Sequence, residues 1–343
     1  MQSPSASRFW SVLILLLLAP TALAVVPPQS PPSPVPPPAP QAPLPPPPPP
    51  APVATETARG QGPQTPIAIT RALSMNGSVR IDNGAGSIHV VAWDKPEVQV
   101  IGTQPAAAKP PVVESSADRF SLRIRAKVER CWMFFSCSQT LLPAQLTVYV
   151  PRQATLALES ISAMQSVQGM RSARVNLDSV SGTLELRADS IAVARLHAVS
   201  GSIRVQQSGI GRLEADNVSG GLHAAASACR QAHVTTISGD IELGCGNVSE
   251  AKLSSVSGDA HFAMTALAAG GSVRVNTVSG DARLTVPAGV SARLQLDSTS
   301  GSIGGALPAG VTVREHSVSG QWGSGAGSVH VETVSGDIRI VGG

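Results

Sequence analysis

Two sets of side chains in this sequence stand at intervals that could hold a metal ion or move a proton. His223, Glu242 and His261 follow one another nineteen residues apart. Imidazole and carboxylate at fixed intervals can ligate a divalent metal or form a pH-sensitive site. Asp240, Asp259, Asp281 and Asp337 each come directly after a Ser-Gly pair. A row of carboxylates suits calcium binding or acid–base work on a sugar. A third set is sulfur. Cys131, Cys137, Cys229 and Cys245 make an even number, and proximity pairs Cys131 with Cys137 and Cys229 with Cys245, although four cysteines allow three connectivities. The C-x-x-C spacing of a zinc site is absent. Cys131 and Cys137 bracket Trp132, Phe134 and Phe135. Such a loop is either a contact patch for a partner or membrane surface, or a cap over the open end of a hydrophobic stack.

Which of these readings holds depends on the elements that carry the residues, and those elements are repeats. Ser-Gly, usually after a β-branched residue, occurs at Ser181-Gly182, Ser200-Gly201, Ser219-Gly220, Ser238-Gly239, Ser257-Gly258, Ser279-Gly280, Ser300, Ser319 and Ser335. The steps are 19, 19, 19, 19, 22, 21, 19 and 16 residues. Aligned on the serine, apolar residues recur four positions before (Leu177, Leu196, Ala215, Val234), three after (Leu184, Ile203, Leu222, Ile241) and five after (Leu186, Val205, Ala224, Leu243). The position just before the serine is equally apolar (Val180, Val199, Val218, Ile237) and is expected to face in with them. Polar residues between these positions give the period-two alternation of strands with one buried face. The expectation is an all-β fold, a single β-solenoid of about nineteen residues per coil. Ser-Gly marks the bends, where glycine supplies conformational freedom and serine a local hydrogen bond.

This frame lowers the chemical readings. Two coils separate His223 from His261, about 10 Å at strand spacing and wide for one metal ion. Their column also holds Glu185, Arg204 and Arg283, and reads as cross-strand charge pairing. The aspartate column carries Thr183, Ser202, Ser302 and Gln321 in other copies and reads as turn chemistry. No catalytic, cofactor-binding or metal residue is assigned.

The rest of the chain concerns location. Arg8, an apolar run over 9–18 and Ala22-Leu23-Ala24 form a secretory signal over 1–24. Retained through Pro20 to Val26, the same segment would be an inner-membrane anchor. Residues 25–66 are proline-rich, with Pro45 to Pro50 unbroken, and neither helix nor sheet is expected there. This stretch reads as a polyproline II spacer or an inert leader. Residues 67–155 form a divergent leading region with strands, and 156–343 the regular array. Net charge is +3 with no lysine or arginine block, which excludes a nucleic-acid partner.

The order Asn76-Gly77-Ser78-Val79, Gly86-Ser87-Ile88, Trp93-Asp94, Val98-Gln99-Val100, Val150-Pro151-Arg152 and then the Val-Ser-Gly-Asp copies resembles the bacterial putative-adhesin β-strand-repeat family of unknown function. The resemblance runs from about residue 70 to the C-terminus. It implies export and a β-solenoid, and it supplies no catalytic residue. The expected function is a non-enzymatic adhesin or envelope scaffold in the periplasm, on the outer surface or secreted, whose partner is a protein or glycan of the cell envelope. Two alternatives stand beside it. One is a self-assembling element joined through uncapped solenoid ends, since the coil over 334–341 has no evident cap. The other is a polysaccharide-active enzyme, which would need a cleft of longer loops. Only 265–271 and 287–291 offer insertions, and their residues are almost all apolar or small.

Overall fold

The computed structural model describes residues 63–124, 127–132, 136–206, 209–225 and 228–343; within these, side chains of 127–132, 136–140 and 228 are not described. Contacts divide the chain into Met1–Thr57 and Ala58–Gly343, and all described residues lie in the second unit. The expected signal and nearly all of the proline-rich segment therefore fall outside the described residues.

Strands and turns make up everything described, with no helix among these residues. Each regular coil is a long strand, a bend at Ser-Gly and a short strand: Arg171–Ser181 with Leu184–Arg187, then Ser190–Ser200 with Ile203–Gln206, then Gly209–Ser219 with Leu222–Ala225. Neighbouring coils pair in parallel and in register. On one face Leu177 stands against Leu196, then Ala215, Val234, Leu253 and Val275. On the next face Leu184 stands against Ile203, Leu222, Ile241, Ala260 and Ala282. All of these side chains are buried. One coil alone leaves its apolar edge open to water, and stacking closes it.

The coils do not stack in chain order at either end. The last coil of the sequence, Gly327–Ser335 with Ile338–Gly342, lies between the coil of Ala260–Ser279 and Ala282–Val286 and the coil of Ala292–Ser298 and Ile303–Gly305. The outer side of Ala292–Ser298 is covered by the antiparallel strand Ser317–Trp322, itself paired with Thr312–Arg314. The leading end repeats this arrangement. Ser78–Trp93 is enclosed between Thr155–Gln168 and an outer coil made of Arg119–Ile124 and Ala144–Pro151. That outer coil is covered by antiparallel Val112–Ser115 and Glu97–Pro105, and the latter by Gln64–Ala72.

Three expectations are corrected here. The coil over 334–341 is internal, with partners on both sides, and an antiparallel strand covers Ala292–Ser298 of the outermost coil. The open final coil from which end-to-end assembly was expected to proceed is therefore not present among the described residues. The Ser-Gly at Ser319 belongs to the capping strand Ser317–Trp322 and is not a coil bend. Finally, Gln64, Thr65 and Pro66, expected to be free of sheet, begin the strand Gln64–Ala72. Among the described residues that strand pairs only with Glu97–Pro105, and an edge tolerates a proline.

Candidate functional site: the bend and its outer columns

At each bend the glycine lies against the backbone of the coil before it. A Cβ on Gly201 would sit 2.0 Å from the Gly182 carbonyl oxygen, and one on Gly239 would sit 2.2 Å from that of Gly220. Gly220, Gly258 and Gly280 also hold φ of 125°, 135° and 148°, which L side chains rarely adopt. The glycine amides donate to serine carbonyls of the next coil: Gly182 to Ser200, Gly201 to Ser219, Gly220 to Ser238, Gly239 to Ser257 and Gly258 to Ser279. The Ser-Gly pairs thus work as bends, and close approach demands the glycine even where its dihedral does not.

Two positions before the serine the side chains are small, polar and buried: Ser179, Asn217, Thr236, Ser255, Thr277, Ser298 and Thr333. Several of them supply donors to carbonyls that the bend takes out of the ladder, while Thr236 Oγ1 and Ser255 Oγ are buried with no hydrogen-bond partner among the described residues. Thr277 Oγ1 donates to Gly280 O at 3.0 Å, Ser298 Oγ to Gly336 O at 3.1 Å, and Asn217 Nδ2 to Gly201 O and Gly220 O at 3.0 and 2.7 Å. Sequence reasoning passed over this column, although its run of Ser, Thr and Asn was visible.

The aspartates form a relay along the stack. The Asp259 amide donates to Asp240 Oδ1 (3.0 Å), the Asp281 amide to Asp259 Oδ1, the Asp337 amide to Asp281 Oδ1, and the Ser302 amide to Asp337 Oδ1 (2.8 Å each). The relay follows the stacking order, not the chain order. Hydrogen bonds from Ser302, with the nearby Arg339 charge, hold the Asp337 carboxyl below the usual carboxylate range. This geometry is the turn chemistry expected of the column.

The histidine column does not converge. His223 Nδ1 meets Glu242 at 2.7 Å, while His261 Nε2 faces Thr285 Oγ1 at 3.5 Å. No group of three His, Cys, Asp or Glu among the described residues is placed to hold a metal ion. In the other columns His197 Nδ1 meets Asp216 at 3.1 Å, and Arg195 Nε donates to Glu214 at 2.6 Å, which holds the Glu214 carboxyl low.

Of the sulfur pairs, Cys131 and Cys137 stand directly opposite each other in the antiparallel pair Lys127–Trp132 and Ser136–Leu141. Their side chains and that of Trp132, together with Phe134 and Phe135, lie outside the described residues. Cys229 and Cys245, expected as a disulfide, are free buried thiols here. Their mutual hydrogen bond, and then burial, push the Cys245 thiol well above its ordinary value.

The largest correction concerns the position just before the serine. Ile161, Val180, Val199, Val218, Ile237, Val256, Val278 and Val334 are all exposed, between 42 and 51 %. The register carries them from coil to coil as one apolar column outside the bend. The physical reason is parity. The position four before the serine faces in, so the position two before faces in and the position one before faces out. Beside this column runs a shallow groove of about 450 Å³. Val180, Val199, Val218 and Ile237 form its apolar side, and Glu159, Asp178, His197 and Asp216 its polar side.

The chain matches the Toastrack DUF4097 family over residues 75–341 and belongs to it. None of the curated proteins compared with it is a match. Solved structures similar to it include a putative lipid binding protein from Parabacteroides distasonis ATCC 8503 (12% identity, TM-score 0.48), covering 82% of this chain and 97% of the other. A putative adhesin from Parabacteroides merdae ATCC 43184 shows 11% identity and a TM-score of 0.47, with coverage of 82% and 97%. A putative cell adhesion protein from Clostridium sporogenes ATCC 15579 shows 10% identity and a TM-score of 0.22, with coverage of 81% and 100%.

Proposed function

We propose that this chain is an exported, non-enzymatic binding or scaffold protein of the cell envelope, which presents the outer columns of its stacked coils to a protein or glycan partner. The observation that carries the reading is the continuous apolar column outside the bend. Scattered exposed apolar residues are ordinary on a protein surface, but a contiguous row is the mark of an interaction site. Covering each half-exposed valine contributes about 1 kcal/mol, so several coils acting together give useful affinity. The polar columns favour binding over catalysis, because the aspartates after the Ser-Gly pairs are engaged in the relay, His197 and His223 each pair with one carboxylate, and His261 faces a hydroxyl. Export rests on the leading sequence, with the proline-rich segment as a spacer.

Fractionation of cells with N-terminal sequencing of the mature protein tests the location. The expected result is a chain outside the cytoplasm that begins near Val25, or a full-length chain held in the inner membrane. A full-length soluble cytoplasmic chain would overturn the envelope reading. Binding of the purified protein to envelope fractions tests the surface: replacing Val199 and Val218 by threonine is expected to weaken it, and undiminished binding would remove the column from the account.

A further inference from the structure

We infer that the groove beside the apolar column takes an extended, cationic polypeptide segment in the polyproline II conformation, with apolar residues on Val180, Val199, Val218 and Ile237 and lysine or arginine residues facing Glu159, Asp178 and Asp216. This deepens the proposed function, resting on the binding role of the column but not on the location of the chain.

Charge gives the first argument. The chain as a whole is net positive at +3, yet the ionisable residues lining the groove are three carboxylates and one histidine. Its acidity is therefore local and not a by-product of composition. Arg80 meets both oxygens of Glu159 and His197 engages Asp216, and each carboxylate oxygen keeps a further lone pair for a donor. An anionic lipid surface or acidic glycan would meet repulsion here, and a cationic partner attraction.

Spacing gives the second. Coils recur about every 4.8 Å along the groove, so every second coil recurs at about 9.6 Å. A polyproline II strand repeats one face every three residues, about 9.3 Å. Asp178 and Asp216 lie two coils apart, as do Val180 and Val218. A residue at every third position therefore meets the same kind of side chain each time. An α-helix, with a pitch of about 5.4 Å, drifts out of step within a few coils. A β-strand repeats a face about every 6.7 Å and matches neither one coil nor two. Polyproline II also keeps its backbone free of internal hydrogen bonds and loses little entropy on docking.

The probes are twelve-residue peptides, Lys-Val-Pro repeated four times and Glu-Val-Pro repeated four times, titrated calorimetrically into the purified full chain at low salt. The expected result is binding of the lysine peptide at least tenfold tighter than the glutamate peptide, weakening as salt is raised. Asp178→Asn with Asp216→Asn, and separately Val199→Thr with Val218→Thr, should each lower its affinity at least tenfold with circular dichroism and melting unchanged. Equal affinity for the two peptides, indifference to both variant pairs, or no heat at millimolar peptide would overturn the inference. So would valine-dependent binding to phosphatidylglycerol vesicles in place of the peptide, or sedimentation showing a dimer that the threonine variants split. A cytoplasmic location would sink the envelope reading while leaving these titrations intact.

Discussion

On the flat faces of the stack, apolar side chains point in and charged ones point out; at the bend the order is reversed. Leu177 and Leu184 are fully buried on the faces, while Arg174 and Glu185 reach the surface. One corner away, Ser179 is buried and Val180 is 48 % exposed. The inner half of this reversal has a backbone cause. Carbonyls turned out of the ladder need donors, and Thr277, Ser298 and Asn217 provide them. The outer half has no such cause. No carbonyl requires a valine in water, and its repetition from Ile161 to Val334 points to something that covers it. The hydrogen-bonding reason on the inside has no counterpart outside, where strand preference for β-branched residues suits valine and the proposed partner would cover it.

Substitutions at the bend sharpen this contrast. The largest effect is expected from Gly239→Ala, whose Cβ would lie 2.2 Å from the Gly220 carbonyl oxygen. Loss of about 3 kcal/mol is expected, a fall in melting temperature of roughly 6–12 °C by calorimetry. A melt within a degree of the parent would show that the coils can spread at no cost. Next comes Thr277→Val, which keeps the shape and removes the nearer of two hydroxyl donors to the Gly280 carbonyl, leaving Thr333 Oγ1 at 3.3 Å. The expected loss is about 1–2 kcal/mol by chemical denaturation, and a neutral result would remove the backbone explanation for the inner polar column.

Acid should act on the aspartate relay. The Asp337 carboxyl is held low by its bonds from Ser302, so its contribution is present above the unfolded value of about 3.9 and is lost as pH falls through the folded value. Protection of the Ser302 amide against hydrogen exchange, corrected for intrinsic rates, should therefore fall only below about pH 4. In Asp337→Asn, whose amide oxygen accepts without titrating, protection should not change with pH over that range. The smallest effect concerns sulfur. Cys229 and Cys245 are 1 % and 3 % exposed, so a thiol reagent should label neither in the folded chain and both on denaturation. Immediate labelling would show that this part of the stack opens in the native state.

Much of the fold could be read from the chain, and its failures have physical causes. The columns four before, three after and five after the serine are buried as expected, because alternation along a strand fixes which way a side chain points. Val180 and its equivalents went to the wrong side because apolarity was allowed to outweigh that alternation. The stacking order left little mark in the repeat, since coils of one grammar pair with any neighbour. The step of 16 residues into Ser335 and the non-coil copy at Ser319 were the only traces of the inserted last coil. The aspartates and the Ser-Gly pairs read as turn chemistry in the sequence, because a bend constrains residue type locally. The groove could not be seen, because it exists only between columns of adjacent coils.

One strand allows the same substitution on both sides of the reversal. Val275 is 2 % exposed and Val278 46 % exposed, three residues apart between Ala260 and Ser279. Paired melts of Val275→Thr and Val278→Thr therefore test the account most directly. Burying a hydroxyl at Val275 should cost about 2 kcal/mol, a fall of roughly 4–8 °C, while Val278→Thr should melt within a degree of the parent. Equal falls for the two would contradict the account, because the outer column would then be part of what holds the coils together.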